Sequence, residues 1–278
     1  MKNTITKRLV VMLVIFLSTL FTSVIPSSAY EITEKNFDYV TYADTYPDLK
    51  AAFGYDARAL FSHYKQYGKA EGRTAFVNRA SFLNANNFDA VRYSNDYADL
   101  KAAFGNDRRA LYNHYVNYGA KEGRLAWSTD VNVNANLVAA DLAKAATLAG
   151  GSDRDKIKFV HDWIIRNTAY NMTSYNSNKY LPTDYRPAGP LVMGTAVCSG
   201  YAEAFDLVME MLGIPCKVVS STDHAWNEVY VDGQWLSIDV CWDDPVPDRP
   251  GVVYRYTYFL ISPEQIAKVK YHQAIRYR

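Results

Sequence analysis

The sequence predicts an α+β domain, with a cysteine-bearing helix packed on an antiparallel sheet, preceded by a small all-helical tandem-repeat region. Three observations predict it: a duplication fills the first half, a helical pattern opens at Cys198 and stops at Gly213, and two strand-like runs flank Asp232-Gly233. The chain has 278 residues, 49% hydrophobic and 21% charged. That is enough for one large core or two modest ones and too apolar for bulk disorder. A formal net charge of +1 leaves no electrostatic footprint for nucleic acid, so no nucleic-acid partner is expected.

Lys2, Lys7 and Arg8 precede an apolar run over residues 9–20, and Ser27-Ser28-Ala29 follows Pro26. Residues 1–29 therefore read as a secretory signal peptide cut after Ala29. An uncleaved anchor is the competing reading, and the run is short for a membrane span. The expected location is secreted or cell-surface associated, with no membrane contact after signal cleavage. Three cysteines make an odd number for an exported chain. Cys216 and Cys241 are expected not to bridge, because the strand carrying His224 should separate theirs.

Residues 30–127 are expected to be the helical repeat region. The stretch from Phe37 through Tyr42, Tyr46, Asp48-Leu-Lys-Ala-Ala-Phe and Gly54 returns from Phe88 to Gly105, and the match runs on through His63-Tyr64 against His114-Tyr115 and Glu71-Gly-Arg73 against Glu122-Gly-Arg124. The copies span about 37–76 and 88–127. In each, a helix starts near Asp48 behind Pro47 and ends before Gly54, and Asp56 caps a second helix that runs to Gly68. Such a unit is small for its aromatics, so the two copies are expected to share one core. His63 and His114 read as hydrogen-bonded structural groups rather than metal ligands. The pattern resembles tyrosine-rich repeats of exported bacterial proteins, a resemblance that implies no activity. Rings left exposed would be able to stack on a cell-wall polymer.

Residues 128–136 are polar and Asn-rich and read as a linker to a catalytic domain over 137–278. Residues 137–148 form an Ala-rich helix ended by Gly150-Gly151. Ser152 and Asp155 make a capping box for a helix with Ile157, Val160 and Ile164 on its buried stripe and His161 expected at its surface. Residues 170–190 lack any period and are expected to form one wall of a substrate cleft.

After Cys198, the apolar residues Tyr201, Phe205, Val208, Met209 and Leu212 recur at helical spacing. Cys198 then sits at a helix N-terminus, where free amides and the helix dipole favour a thiolate and can hold an oxyanion. Small Ser199 and Gly200 would let a substrate backbone approach. Asp232-Gly233 favours a two-residue hairpin turn. That turn pairs Val231 with Gln234, Tyr230 with Trp235, Trp226 with Asp239, and His224 with Cys241, the last on a strand. His224 and Asp239 are then diagonal neighbours on one face, roughly 7–8 Å apart at the backbone. A one-residue slip would put them on opposite faces. The expected roles are Cys198 as nucleophile, His224 as base and Asp239 as the group that orients His224.

These residues carry a resemblance. Val197-Cys198-Ser-Gly-Tyr-Ala-Glu-Ala-Phe, Leu212-Gly-Ile-Pro, His224-Ala-Trp-Asn-Glu-Val, Gly233-Gln-Trp and Asp239-Val-Cys-Trp-Asp-Asp-Pro are similar to the bacterial transglutaminase-like domain, whose core is papain-like. The resemblance covers about residues 150–265 and implies the same roles for Cys198, His224 and Asp239. Cys241 stands where the family commonly has Thr. Val197 replaces the Gln that precedes the nucleophile in animal transglutaminases, so the second oxyanion donor does not carry over. Trp226, Tyr201 and Tyr185 are candidate substrate contacts. Asp243, Asp244 and Asp248 read as turn formers rather than a calcium site, and no metal or cofactor is expected. Residues 267–278 read as a solvated tail or a last strand.

The expected activity is acyl transfer from a protein or peptide substrate through a Cys thioester. It ends on water in a peptidase or amidase, or on an amine in a protein-crosslinking transglutaminase. The alternative of another class is a catalytically idle surface protein whose repeats hold cell-wall polymer.

Overall fold

The computed structural model describes residues 31–247, 255–273 and 276–277. The expected signal peptide over residues 1–29 lies outside the described residues, as does Asp248. No helix among the described residues is long and apolar enough to cross a membrane.

Each repeat folds as three short helices and a closing π-helical turn. In the first copy these are α1 (Tyr39–Thr45), α2 (Pro47–Phe53), α3 (Ala57–His63) and the turn Tyr64–Gly68. In the second they are α4 (Ala90–Asp96), α5 (Ala98–Phe104), α6 (Arg108–His114) and the turn Tyr115–Gly119. Asp38 and Asp89 cap the first helix, and Asp56 and Asp107 the third, by accepting backbone N–H groups.

The copies do not share a core. Phe37, Tyr42, Leu49, Leu60 and Phe61 close one cluster, and Phe88, Tyr93, Leu100, Leu111 and Tyr115 close another. Large rings fill each unit, and one glycine per copy makes the closure possible. A Cβ on Gly68 would land on the Tyr42 hydroxyl, and one on Gly119 on the Tyr93 hydroxyl. Those hydroxyls also meet Nδ1 of His63 at 3.3 Å and of His114 at 3.2 Å, which gives both histidines a structural partner. The repeated Glu-Gly-Arg serves a similar end. Arg73 makes two hydrogen bonds to Asp48 (2.9 and 2.8 Å) beneath the Tyr46 ring, and Arg124 does the same with Asp99 and Tyr97.

The segment expected as a linker is largely helical. The helix α7 runs Val131–Leu148, capped by Asp130. Asn134, which counted towards a polar linker, is buried and exchanges hydrogen bonds with the Ser128 backbone at 2.7 and 3.0 Å. Leu137 of this helix enters the second repeat's core, while Ala139, Ala143 and Ala146 enter the main core, so α7 joins the two halves.

The main core gathers α7, α8 (Asp153–Asn167) and α10 (Cys198–Leu212) against one face of a four-stranded antiparallel sheet. Between α8 and α10 lie β1 (Ala169–Tyr170), α9 (Met172–Ser177) and β2 (Thr195–Ala196). The sheet comprises β3 (Cys216–Ser220), β4 (Ala225–Val231), β5 (Gln234–Ile238) and β6 (Arg276–Tyr277), in the order β5-β4-β3-β6. Two short helices follow β5: α11 (Val240–Asp243) and α12 (Pro263–Ile266). Val231 faces Gln234, Tyr230 faces Trp235 and Asn227 faces Ile238, the register that the Asp232-Gly233 turn predicts. Cys241 is on α11 rather than a strand, because the Asp239 side chain caps a helix there. All three cysteines are free.

Candidate active site

Cys198 opens α10, half-buried, while Cys216 and Cys241 are buried. Val197 precedes it and provides no side-chain cap. The amides of Gly200 and Tyr201 turn back to the Val197 carbonyl at 2.9 and 3.2 Å. By helix geometry the Cys198 and Ser199 amides have no acceptor within the helix, so the end beside the thiol keeps its donors. Gly200 has a structural purpose rather than the expected one of admitting substrate. It is buried, and a Cβ there would collide with the Asp184 carbonyl and the Ala196 methyl. That fit, with the Val197 amide bonded to the Asp184 carbonyl at 3.0 Å, seats the start of α10.

His224 immediately precedes β4, and Asp239 immediately follows β5. The hairpin brings them together: His224 Nε2 lies 2.6 Å from Asp239 Oδ2. Cys198 lies near enough to His224 to act on its pKa. With Nε2 given to Asp239, Nδ1 is the ring nitrogen left for the thiol. Burial pulls the His224 pKa down, but the Asp239 charge and the hydrogen bonds to Asp239 and Cys198 outweigh it, and the net shift is upward. Asp239 is fully buried, which alone would raise its pKa; the His224 charge and the bonds from His224 and His272 reverse that and hold it low.

Asp239 has more partners than the sequence suggested. Its Oδ1 accepts from the Trp242 amide at 3.0 Å, its own amide donates to the Tyr258 carbonyl at 3.1 Å, and its Oδ2 also meets His272 Nε2 at 2.7 Å. His272 is the functional residue that sequence reasoning missed. It sits in the stretch read as a solvated tail or a last strand, just before the strand β6, and is 1% exposed. Its sole sequence hint is that a histidine follows Tyr271, with no period to place it.

The other candidates divide. Trp226 is buried, stacked on His224 at 6.0 Å and packed on Val219 and Ile266. Tyr201 is buried, its hydroxyl bonded to Asp244. Neither presents a face to substrate. Both follow from backbone direction, since an inward position on a central strand or on the packed face of α10 points into the core. Tyr185 is partly exposed and packs against Tyr180 at 5.3 Å. A cleft of about 820 Å³ opens beside His224, lined by Tyr170, Tyr175, Trp242, Tyr258 and Tyr271, with Arg255 and Asp223 among its charged groups. Its size suits a small ligand or a few residues of chain. Tyr170 and Tyr175 come from the aperiodic 170–190 segment, which therefore walls the cleft as expected.

His161 is a second correction. It follows Ile157 by four residues and so shares the buried stripe of α8. It is fully buried, with Nδ1 2.9 Å from Asp162 and Nε2 3.3 Å from Asp243. Burial pulls its pKa down, but the two carboxylates outweigh that and raise it overall. Asp243 also accepts from the Tyr258 amide at 3.2 Å, and Asp244 accepts from Tyr201, so the expected turn formers also have polar partners inside the fold. His224, Asp239 and His272 are of metal-ligating type, with ligand atoms within 4.8 Å of one another. Their contacts of 2.6 and 2.7 Å are those of hydrogen bonds. Ligand atoms around a tetrahedral ion bonded at about 2.0–2.1 Å stand about 3.3 Å apart, so this arrangement does not fit a metal.

Residues 140–240 match the model of the transglutaminase-like superfamily. Over that stretch the chain is similar to the superfamily, and Cys198, His224 and Asp239 all fall inside the match while His272 does not. The chain is 24% identical over 132 residues to kyphoscoliosis peptidase of Homo sapiens, a stretch covering 40% of this chain and 20% of that protein. It is 33% identical over 83 residues to the peptide-N(4)-(N-acetyl-beta-glucosaminyl)asparagine amidase of Caenorhabditis briggsae, covering 29% of this chain and 14% of that one. The chain therefore spans a fifth or less of these relatives. A crystal structure of a TGase aligns with a TM-score of 0.36 at 20% identity, covering 58% of this chain and 40% of the other.

Proposed function

We propose that this protein is an exported cysteine hydrolase that cleaves peptide or amide bonds at or near the cell envelope. The observation that carries the reading is His224, bonded to buried Asp239 at 2.6 Å and lining the cleft, with its pKa raised by Asp239 and by Cys198 at the open end of α10. In this reading Cys198 and His224 rest as thiolate and imidazolium. The sulfur attacks the substrate carbonyl carbon, the π electrons move to oxygen, and the Cys198 and Ser199 amides donate to the oxyanion. The C–N bond breaks as the oxyanion collapses, and the leaving amine takes the proton from His224. Neutral His224 then removes a proton from water as it attacks the thioester, and the sulfur departs as thiolate, which restores the resting ion pair. Asp239 keeps the imidazole oriented throughout.

Export rests on the signal pattern of residues 1–29. The repeats are proposed to hold wall polymer, since Phe53 and Tyr67 in one copy and Phe104 and Tyr118 in the other are exposed at equivalent positions. Stacking on sugar rings would use those faces. The decisive experiment incubates the full-length mature protein with a peptide and amide library, with and without an added primary amine, and traps the intermediate for mass spectrometry. Hydrolysis products and an acyl group on Cys198 are expected, both absent in Cys198→Ala. Products that always carry the amine would favour crosslinking, and an unacylated, unreactive Cys198 would overturn the enzyme reading.

A further inference from the structure

The residues matched to the superfamily stop before the C-terminal segment that carries His272, yet that segment closes over Asp239. His272 Nε2 lies 2.7 Å from Asp239 Oδ2, and His272 Nδ1 lies 3.2 Å from the Lys270 carbonyl oxygen. Both partners are oxygen acceptors at neutral pH, and a neutral imidazole has one N–H. Both bonds form together only when both ring nitrogens carry protons. The surroundings suit a cation: the ring stacks on Tyr258 at 5.7 Å and meets Trp226 and Trp242 at 5.0 and 4.6 Å. His224 faces it at 4.9 Å, ring to ring.

We infer that His272 is a positioning residue, held as an imidazolium, which shares the Asp239 carboxylate with His224 and so limits how tightly His224 keeps its proton. The inference rests on the cysteine-hydrolase reading for its consequence, though not for its geometry. A buried carboxylate serving His224 alone would stabilise the His224 imidazolium so strongly that it would release its proton to a leaving amine reluctantly. A second positive ring on the same oxygen divides that attraction. Other charged groups nearby are committed elsewhere: Asp243 on α11 to His161, and Lys270 to the face of Tyr271. Cys198 acts on His224, and Asp223, Asp244 and Arg255 line the cleft. Among the described residues, Asp239 is therefore the anion in direct contact with both rings.

Two measurements test this. In wild-type protein labelled with ¹⁵N-histidine, His272, assigned by its loss in His272→Gln, is expected to show both ring nitrogens protonated at pH 7. A neutral tautomer would overturn the inference whether or not the protein is an enzyme. In the second, Cys198 alkylation is followed against pH in wild type, His272→Gln and His272→Phe. Gln keeps a donor without the charge, so the alkaline limb set by His224 should move up by about one pH unit, the scale expected for a charge lost at this distance. Turnover on any substrate found should fall about tenfold in kcat with KM little changed. Phe fills the space without a donor, so it should also lose the fixed orientation of Asp239 and react more slowly than Gln. An unmoved alkaline limb in His272→Gln, with wild-type Cys198 activated, would reduce His272 to packing. A wild-type Cys198 no more reactive than free cysteine would instead sink the hydrolase reading and leave the NMR result to decide the protonation of His272.

Discussion

Replacing Asp239 with Asn removes one charge from the most heavily used carboxylate of the site and changes little in shape. Three bonds are affected: from the Trp242 amide at 3.0 Å, from His224 at 2.6 Å and from His272 at 2.7 Å. Bonds to a charged acceptor contribute about 1.5–3 kcal/mol and neutral ones about 0.5–1.5, so the protein should lose about 3 kcal/mol of stability. The effect on His224 is larger in proportion. With the Asp239 charge gone, burial dominates and the His224 pKa falls from above to below its ordinary value of about 6.5. At pH 7.5 the imidazolium share then drops from most of the population to about a tenth or less, and iodoacetamide should alkylate Cys198 about tenfold to a hundredfold more slowly. The assay is a timed mass-spectrometric alkylation on protein shown folded by circular dichroism. A variant that alkylates at the wild-type rate, with the wild-type pH profile, would refute the dependence of the thiol on Asp239 through His224.

His161→Ala should destabilise the fold by about 3 kcal/mol, because it leaves Asp162 and Asp243 buried without their shared partner. The His161 pKa is raised on folding, so its contribution is complete below about pH 6.5 and fades as pH climbs through the folded value. Urea melts at pH 6 and pH 9 should therefore show a smaller difference between the two proteins at the higher pH, and an equal difference would contradict the assignment. Gly200→Ala pushes a methyl into the Asp184 carbonyl. A loss of about 1–3 kcal/mol in thermal unfolding is expected, together with slower Cys198 alkylation as the start of α10 shifts.

The parts of the site that local rules govern were legible in the sequence. Asp232-Gly233 fixes a two-residue turn and the turn fixes the register, which holds as far as Asn227 and Ile238; His224 and Asp239 meet just beyond that ladder rather than as members of it. Cys198 was placed by an apolar helical period ended by Gly213. Residues whose placement depends on distant partners were not legible. His272 meets Asp239 across 33 residues of chain from a stretch with no period. His161 lay on the buried stripe but was assigned outward for its polarity, because a sequence cannot show that Asp243 comes to meet it. The repeats were legible as a duplication, but their separate cores were not. Those depend on Tyr42 and Tyr93 reaching the space that Gly68 and Gly119 leave open. The Asn-rich start of α7 hid a helix because Asn134 satisfies itself on the Ser128 backbone, a contact that composition does not reveal.

The claim on which the rest depends is that Cys198 is activated by His224. It is tested by the pH dependence of Cys198 alkylation in the otherwise unmodified mature protein, with buried Cys216 and Cys241 as internal references. Fast labelling of Cys198 is predicted at and below neutral pH, persisting upward as an ion pair with His224 and abolished by His224→Ala. A single rise in rate near pH 8.5, the behaviour of an ordinary thiol, unchanged in His224→Ala, would contradict it.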